Sequence, residues 1–384
     1  MNFGFASATQ ILFGPGTLKQ VGPLVAPLGR RAFIVTGRNQ NRAAGLIGHL
    51  EADGITNRLF PVASEPTVDL VMAGVTEARD FGSEVVIGFG GGSAIDAAKA
   101  IAALLTNEGD PLDYLEVVGR GLPIQKRPAP LVAIPTTAGT GAEVTRNAVL
   151  GVPEQGRKVS MRHAMMLAAV AIVDPELTTS LPPAITAQTG LDALTQCIEP
   201  FLSHQANPLT DGLCREGIVR AARSLRTAYQ DGTNASARED MALTSLFGGL
   251  ALANAKLGAV HGFAGPMGGE LEAAHGTICG RLLPYTVEAN WQALRERNPD
   301  STTLPRFDEL ATMLTGHPKA KAADAIEWLH ALCRDLNTEP LSRLGLTPNA
   351  IPEMARKAKA SSSMKGNPIE LTLPELEGIL QAAL

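Results

Sequence analysis

Cysteine is scarce in this chain. Cys197, Cys214, Cys279 and Cys333 are the only four among 384 residues, and no two form a CxxC pair. A disulfide framework is therefore not expected, and the four read as buried or free thiols in a reducing compartment. An excess of basic residues is missing too. The formal net charge is −5, with no basic patch of the kind that binds nucleic acid. The densest run of arginines, between Arg215 and Arg226, reads as the solvated face of a helix. No window approaches the ~18 uninterrupted apolar residues of a membrane-spanning helix, so no membrane partner is expected. The opening residues, MNFGFASATQ, carry neither a charged segment nor a long apolar run; no signal peptide is expected and the default location is cytoplasmic. What remains is 45% apolar and 18% charged, the balance of a soluble globular enzyme long enough for two domains.

The first half alternates strand and helix signals. Short β-branched runs at Arg31–Thr36, Asn57–Val62, Val85–Ile87, Leu131–Ile134 and Val170–Val173 predict strands. Helical patterns lie between them: up to Leu50, from Glu65 with Pro66 and Thr67 at its start, and over Ser93–Leu105. Such alternation implies a parallel sheet covered by helices. After Leu181-Pro182-Pro183 strand signals nearly vanish. Long helical patterns follow at Ala184–Ser203, Leu209–Tyr229, Ser236–Ala255, Lys319–Leu336 and Pro352–Ala360. The expected organisation is an α/β domain over residues 1–180 and an all-helical domain over residues 181–384.

The GxGxxG fingerprint of the standard dinucleotide fold is absent. In its place Gly88-Phe89-Gly90-Gly91-Gly92-Ser93 follows a strand and opens a helix. Gly90, Gly91 and Gly92 let a pyrophosphate approach the backbone, and Ser93 begins a helix whose free N–H groups face it. The same run also serves a tight turn without a ligand. Asp96, one turn further, is either a first-turn charge or a contact to a ribose or substrate. Pro135-Thr136-Thr137-Ala138-Gly139-Thr140-Gly141-Ala142-Glu143 follows the next strong strand. Thr136, Thr137 and Thr140 either offer hydroxyls to phosphate and ribose oxygens or cap their own loop. Two such loops at adjacent strand ends favour a nucleotide, because ligands of open α/β sheets bind there.

A second constellation lies downstream. Asp192 and Gln196 are four residues apart on a predicted helix and share a face. His261 and His275 are separated by Gly265-Pro266 and Gly268-Gly269, expected to break the helix so that the imidazoles converge from two segments. A carboxylate, two imidazoles and an amide oxygen suit a borderline divalent cation such as Fe²⁺ or Zn²⁺. Each histidine alone reads more readily as a satisfied polar residue than as a ligand.

Taken in order, these segments resemble the iron-containing (group III) alcohol dehydrogenases over nearly the whole chain. The resemblance runs from Ile11-Leu12-Phe13-Gly14-Pro15-Gly16 through the Gly90–Ser93 turn, the loop at 135–143, Val173-Asp174-Pro175-Glu176-Leu177 and Gly190-Leu191-Asp192-Ala193-Leu194. It closes on His261, His275-Gly276 and Leu282-Leu283-Pro284. It implies the fold shared with dehydroquinate synthases: an N-terminal α/β dinucleotide-binding domain and an all-α C-terminal domain, with the active site in the cleft between them. It also implies NAD or NADP as cofactor and a small-molecule alcohol or carbonyl substrate. A divalent metal is implied on Asp192, Gln196, His261 and His275, iron first and zinc second. Lys158 resembles the family lysine near the cofactor ribose, and relatives are often homodimers or larger.

Three positions depart from the family pattern. Family members usually carry one Asp and three His as ligands, and Gln196 stands where the first of those His belongs; lower affinity and a shift towards harder ions are expected. Gly265 stands where the family commonly has a His associated with proton transfer, which enlarges the pocket, and Phe263 is expected to fill part of it. After the first strand the chain reads Val35-Thr36-Gly37-Arg38-Asn39, with Gly37 in place of the ribose-holding Asp of many NAD-preferring relatives. Arg38 and Arg42 are then available to a 2′-phosphate, which leans towards NADP or dual use.

The implied reaction has Asp192, His261 and His275 acting through the metal, a Lewis acid on the alcohol oxygen, while hydride passes between the carbinol carbon and the nicotinamide. Without a His at 265 the proton leaves through water or the ribose hydroxyls. A metal-independent reductase like the maleylacetate reductases, a lyase or cyclase on the dehydroquinate synthase scaffold, and a non-catalytic nucleotide-binding protein remain as alternatives.

Overall fold

The computed structural model describes residues 2–271 and 273–384. The chain forms two compact units, one of residues 6–137 and 141–179, the other of the residues up to Phe5, Ala138–Thr140 and Ser180 to Leu384.

The first unit is built from β1 (Gln10–Phe13), α1 (Val21–Val25), β2 (Arg31–Gly37), α2 (Ala44–Ala52), β3 (Thr56–Val62), α3 (Val68–Phe81), β4 (Val85–Gly90), α4 (Gly92–Thr106), α5 (Pro111–Tyr114), β5 (Leu131–Pro135), β6 (Asn147–Val152), β7 (Arg157–Arg162) and β8 (Val170–Val173). Six strands form one parallel sheet in the order β1-β8-β5-β4-β2-β3, while β6 and β7 pair as an antiparallel hairpin. Inner strands of a parallel sheet are covered on both faces and so need continuous apolar runs. Phe33, Ile34 and Val35 of β2 and Val85, Val86 and Ile87 of β4 are accordingly all buried. Alternation sorts them: Ala32, Ile34, Ile87 and Ile134 pack with Val21, Val25, Leu46 and Leu50 of α1 and α2. On the other face α4 lies so close that a Cβ on Gly88 would stand 2.9 Å from the Ala98 Cβ. Asp174, just after β8, accepts N–H bonds from Gly16 (3.2 Å), Leu18 (3.0 Å) and Glu176 (3.1 Å). The carboxylate thus ties the Gly14-Pro15-Gly16 turn to the end of β8.

The second unit is helical: α6 (Pro183–Leu202), α7 (Pro208–Gln230), α8 (Ala235–Ala255), α9 (Ala259–Glu270), α10 (His275–Arg297), α11 (Leu304–Thr315), α12 (Ala322–Asp335), α13 (Ile351–Ala360) and α14 (Leu373–Ala383). Helix α6 is buried on almost every side and packs against α7, α8 and α10. One expectation is corrected here. Gly265-Pro266 and Gly268-Gly269 do not break the helix; α9 runs through them to Glu270. Val260, Phe263, Ala264 and Met267 form a buried stripe at helical spacing, and its burial outweighs the poor propensity of the glycines and proline. The sharp change of direction, 100°, comes instead between α8 and α9. Among the described residues no single helix is long and apolar enough to cross a membrane.

Candidate active site

Three helices of the second unit place the polar cluster. Asp192, Gln196 and Glu199 project from one face of α6 and are all buried. The first turn of α10 lies directly on that helix: a Cβ on Gly276 would stand 2.2 Å from the Gln188 carbonyl oxygen and 3.4 Å from the Asp192 Cβ. Only glycine lets His275 come alongside Asp192. Helix α9 has no capping side chain of its own, and its first N–H groups need partners. They are met from other elements. Val260 N donates to Glu199 Oε1 (2.6 Å) and Ala259 N to Asn367 Oδ1 (3.0 Å). A carboxylate at a helix N-terminus is also favoured by the helix dipole. The other Glu199 oxygen, Oε2, lies 2.7 Å from His261 Nδ1. A carboxylate oxygen accepts, so Nδ1 carries the hydrogen toward Glu199 and the ring is oriented with Nε2 toward Asp192.

His261 Nε2 faces Asp192 Oδ1 at 3.3 Å. His275 Nε2 is 3.8 Å from the same oxygen, and Cys279 Sγ lies 3.6 Å from His275 Nε2. The ligating atoms of Asp192, His261, His275 and Cys279 all fall within 4.8 Å of one another. Gln196 Nε2 donates to Asp192 Oδ2 at 3.0 Å. Asp192 Oδ1, Gln196 Oε1 and His261 Nε2 are buried and have no hydrogen-bond partner among the described residues. Buried polar atoms are rarely left so. A proton can satisfy one edge of this cluster; a divalent cation satisfies all of its donors at once. Metal–ligand bonds of about 2.0–2.3 Å in a tetrahedral site separate neighbouring donors by roughly 3.3–3.7 Å, close to the spacings observed. The residues therefore fit a divalent ion. Burial alone would raise the Asp192 carboxyl, but the neighbouring His261 and His275 imidazoles hold it below the usual carboxylate range.

The first unit gathers the glycine and threonine loops at the carboxyl ends of β2, β4 and β5, which are neighbours in the sheet. A Cβ on Gly90 would stand 2.6 Å from the Ala94 Cβ and 3.3 Å from Gly37 N, and one on Gly91 would stand 3.4 Å from the Thr137 side chain. Thr136 N donates to Gly90 O (2.9 Å). Gly37, Gly90, Gly91, Thr136 and Thr137 are thus brought together, with Gly92 and Ser93 forming the first turn of α4. Thr140 belongs to the helical unit. Arg38 is exposed beside Gly37, with Nη2 on the Ala63 carbonyl (3.2 Å), whereas Arg42 Nη2 is committed to the Leu177 carbonyl (2.6 Å). Lys158, on β7, pairs with Glu65 at 3.2 Å. Asp96 faces the hairpin: Oδ2 accepts from Val149 N (3.0 Å), and Oδ1 is 3.7 Å from the buried Lys99 Nζ.

Comparison with known proteins follows the same two halves. Residues 8–175 match the family profile of the iron-containing alcohol dehydrogenases, and residues 186–384 match the profile of the Fe-containing alcohol dehydrogenase family, C-terminal. The chain belongs to the iron-containing alcohol dehydrogenase family. It is 35% identical over 387 residues to alcohol dehydrogenase 4 of Saccharomyces cerevisiae (strain ATCC 204508 / S288c), covering 99% of this chain and 98% of that one. Among solved structures it is similar to 1,3-propanediol oxidoreductase (TM-score 0.93, 32% identity, 100% of both chains). It is also similar to sulfoacetaldehyde reductase from Bifidobacterium kashiwanohense in complex with NAD⁺ (TM-score 0.88, 29% identity, 100% of this chain and 99% of that one).

Within this family member, several useful residues escaped sequence reasoning. Cys279 is four residues after His275, so the spacing that paired Asp192 with Gln196 could have found it, while Glu199, seven after Asp192, lies two turns along the same helical face. Phe263 does not fill the space at position 265: it is fully buried in the helical core, and a Cβ on Gly265 would meet nothing within 4 Å. Glu199→Gln should lower metal affinity about 10–100-fold, the usual effect of losing a partner that orients a ligating histidine. Competition with a chromogenic chelator reads it, and unchanged affinity would remove Glu199 from this role.

Glu143 of the PTTAGTGAE loop is buried, its Oε1 has no hydrogen-bond partner, and burial pushes its carboxyl up to about 7 from 4.5. The folded pKa lies above the unfolded one. The protonated carboxyl therefore stabilises the fold fully below about pH 4.5, and that contribution is lost as pH rises through about 7. At 1.36 kcal/mol per unit the swing is about 3 kcal/mol. Glu143→Gln should remove it, so the variant gains stability relative to the parent as pH rises. Urea midpoints across that window test this; parallel curves would contradict it.

Proposed function

We propose that this chain is a metal-assisted, NAD(P)-dependent dehydrogenase that oxidises small alcohols or reduces the corresponding aldehydes or ketones. The observation that carries the reading is the gathering of the Asp192, His261 and His275 ligating atoms within 4.8 Å of one another, with Asp192 Oδ1 and His261 Nε2 buried and without a hydrogen-bond partner among the described residues. In this reading residues 1–180 hold the cofactor, and residues 181–384 hold the metal and substrate. Asp192, Gln196, His261 and His275 hold a divalent ion, iron being the metal of the family name and zinc the second choice. When bound, that ion supplies Lewis acidity to the substrate oxygen, and the nicotinamide gives or takes the hydride. The chain's own contribution is placement. Glu199 fixes the His261 ring, Gln196 steadies Asp192, and Gly90–Ser93 with Thr136 and Thr137 cradles the phosphates and riboses. Lys158 reaches the cofactor ribose from β7, and Asp96 supports the phosphate turn from within α4. Gly265 offers no side chain for proton transfer, so solvent or the ribose hydroxyls carry the proton.

The absence of a carboxylate at Gly37 and the exposure of Arg38 support use of NADP alongside NAD. The open edge of β1 and the exposed Phe3 and Phe5 support a homodimer or larger assembly, which light scattering reads directly. Four buried free cysteines are consistent with a reducing, cytoplasmic setting.

The deciding experiment follows reduced-nicotinamide absorbance with a panel of alcohols, aldehydes and ketones, using protein purified without chelators and assayed for metal. Turnover lost to a strong chelator and restored by a divalent ion is expected, with Arg38→Glu raising KM for NADPH more than for NADH. Chelator-resistant turnover by metal-free protein would move the chain to the metal-independent reductases. Tight cofactor binding with no turnover on any substrate would make it a non-catalytic binder.

A further inference from the structure

The geometry points to Cys279 as a thiolate ligand of the metal, standing in for the imidazole that Gln196 replaces. The inference rests on the metal reading above and completes its ligand set. Cys279 sits one turn after His275 on α10, so the two side chains leave the same face of the helix. Its sulfur is buried, 3.6 Å from His275 Nε2, and within 4.8 Å of the ligating atoms of Asp192 and His261. A nitrogen and a sulfur bound at about 2.1 and 2.3 Å with a tetrahedral angle stand roughly 3.6 Å apart. Near the sulfur, Asp192 Oδ1 and His261 Nε2 are buried atoms without a hydrogen-bond partner among the described residues.

The chemistry favours the same assignment. Gln196 brings a neutral, weak oxygen donor, and its Nε2 is engaged in bracing Asp192 Oδ2. A thiolate supplies the strong fourth donor that this leaves wanting, and with the Asp192 carboxylate it neutralises a dipositive ion in a buried site. It also reverses the selectivity that Gln196 alone predicts. An Asp–His–His–Cys set is softer than an all-N/O set and prefers zinc or cobalt over harder ions such as magnesium or manganese. Metal loading displaces the thiol proton to solvent, with no change in oxidation state.

Cobalt(II) reports the ligand type directly. Apo-protein titrated anaerobically with cobalt should bind one ion per chain and show an intense near-ultraviolet thiolate-to-cobalt charge-transfer band beside the weaker visible bands. Cys279→Ser should abolish the charge-transfer band while retaining visible cobalt absorption, and should weaken zinc binding by about tenfold or more. Cys333→Ser, whose sulfur normally bonds to Gly280 O at 3.2 Å, should keep the band. Stoichiometric cobalt without charge transfer in the parent protein would overturn Cys279 as a ligand and leave the metal site standing. No cobalt or zinc bound at all would overturn both. If Cys279→Ser fails to fold, the parent spectrum still decides.

Discussion

Asp192→Ala is expected to strip the purified protein of nearly all its metal and to lower kcat/KM by about a thousandfold or more. Asp192 is the hub of the cluster. Its Oδ1 stands 3.3 Å from His261 Nε2 and 3.8 Å from His275 Nε2, and its Oδ2 is braced by Gln196. Among the described residues it is the carboxylate that lies beside both imidazoles. Alanine removes that charge and the donor shared by both imidazoles, leaving the histidines facing each other. Lewis-acid polarisation of the substrate oxygen contributes several kcal/mol to a reaction of this kind, and 1.36 kcal/mol is tenfold in rate; a factor of about a thousand follows. The fold should survive, because the change removes one side-chain hydrogen bond, from Gln196 Nε2, and leaves the packing of α6 against α7, α8 and α10 in place. Mass-spectrometric metal content and steady-state rates on the same preparation read both halves. Near-normal rates with normal metal content would refute the assignment, and His261→Ala should repeat the loss through a different donor.

Much of this site was legible because its chemistry follows helical and strand periodicity. Asp192 and Gln196 were paired by a four-residue spacing, and α6 presents them on one face. The glycine and threonine loops were placed by the rule that ligands gather at strand ends, and β2, β4 and β5 are neighbours with those loops at their carboxyl ends. What escaped the sequence depends on contacts between distant segments. Glu199 caps α9 across a gap of more than sixty residues, and nothing local to Gly258–Val260 announces it. The β6–β7 hairpin was missed because its inward residues, Ala148, Leu150, Val159 and Met161, are few and interrupted by charged and polar positions. Helix α9 was broken on paper because glycine and proline propensity was weighed without the buried stripe that overrides it. Phe263 was assigned to the pocket for its place near His261, yet it sits two residues on, where the helical turn points it into the core.

Lys99→Met should cost about 3–5 kcal/mol of stability, the usual penalty for removing one partner of a buried ion pair. Lys99 is fully buried on α4, seven residues beyond Gly92. Its Nζ donates to Thr145 Oγ1 (2.8 Å) and to the Asn147 carbonyl (2.9 Å) and faces Asp96 Oδ1 at 3.7 Å. Asp96 in turn accepts from Val149 N. The pair therefore fastens the start of the hairpin that carries Lys158 to the helix whose first turn is the proposed phosphate cradle. Burial raises the Asp96 carboxyl and lowers the Lys99 ammonium, each opposed by the other's charge. Methionine fills most of the volume but leaves Asp96 charged without its cation and Thr145 and Asn147 without their donor. Asp96→Asn in the same chain should recover part of the loss, since the amide oxygen can still accept from Val149 N; the two changes are in contact and their effects should not add. Hydrogen exchange localises the damage: amides of Asn147–Arg162 should lose protection before those of β2 and β4. The cofactor KM should rise more than kcat falls, because the proposed cradle loosens while the proposed metal ligands lie in the other unit. A single variant as stable as the parent, or exchange that accelerates evenly across the sheet, would show that the hairpin is held by β6–β7 pairing alone and that Lys99 has no part in shaping the phosphate turn.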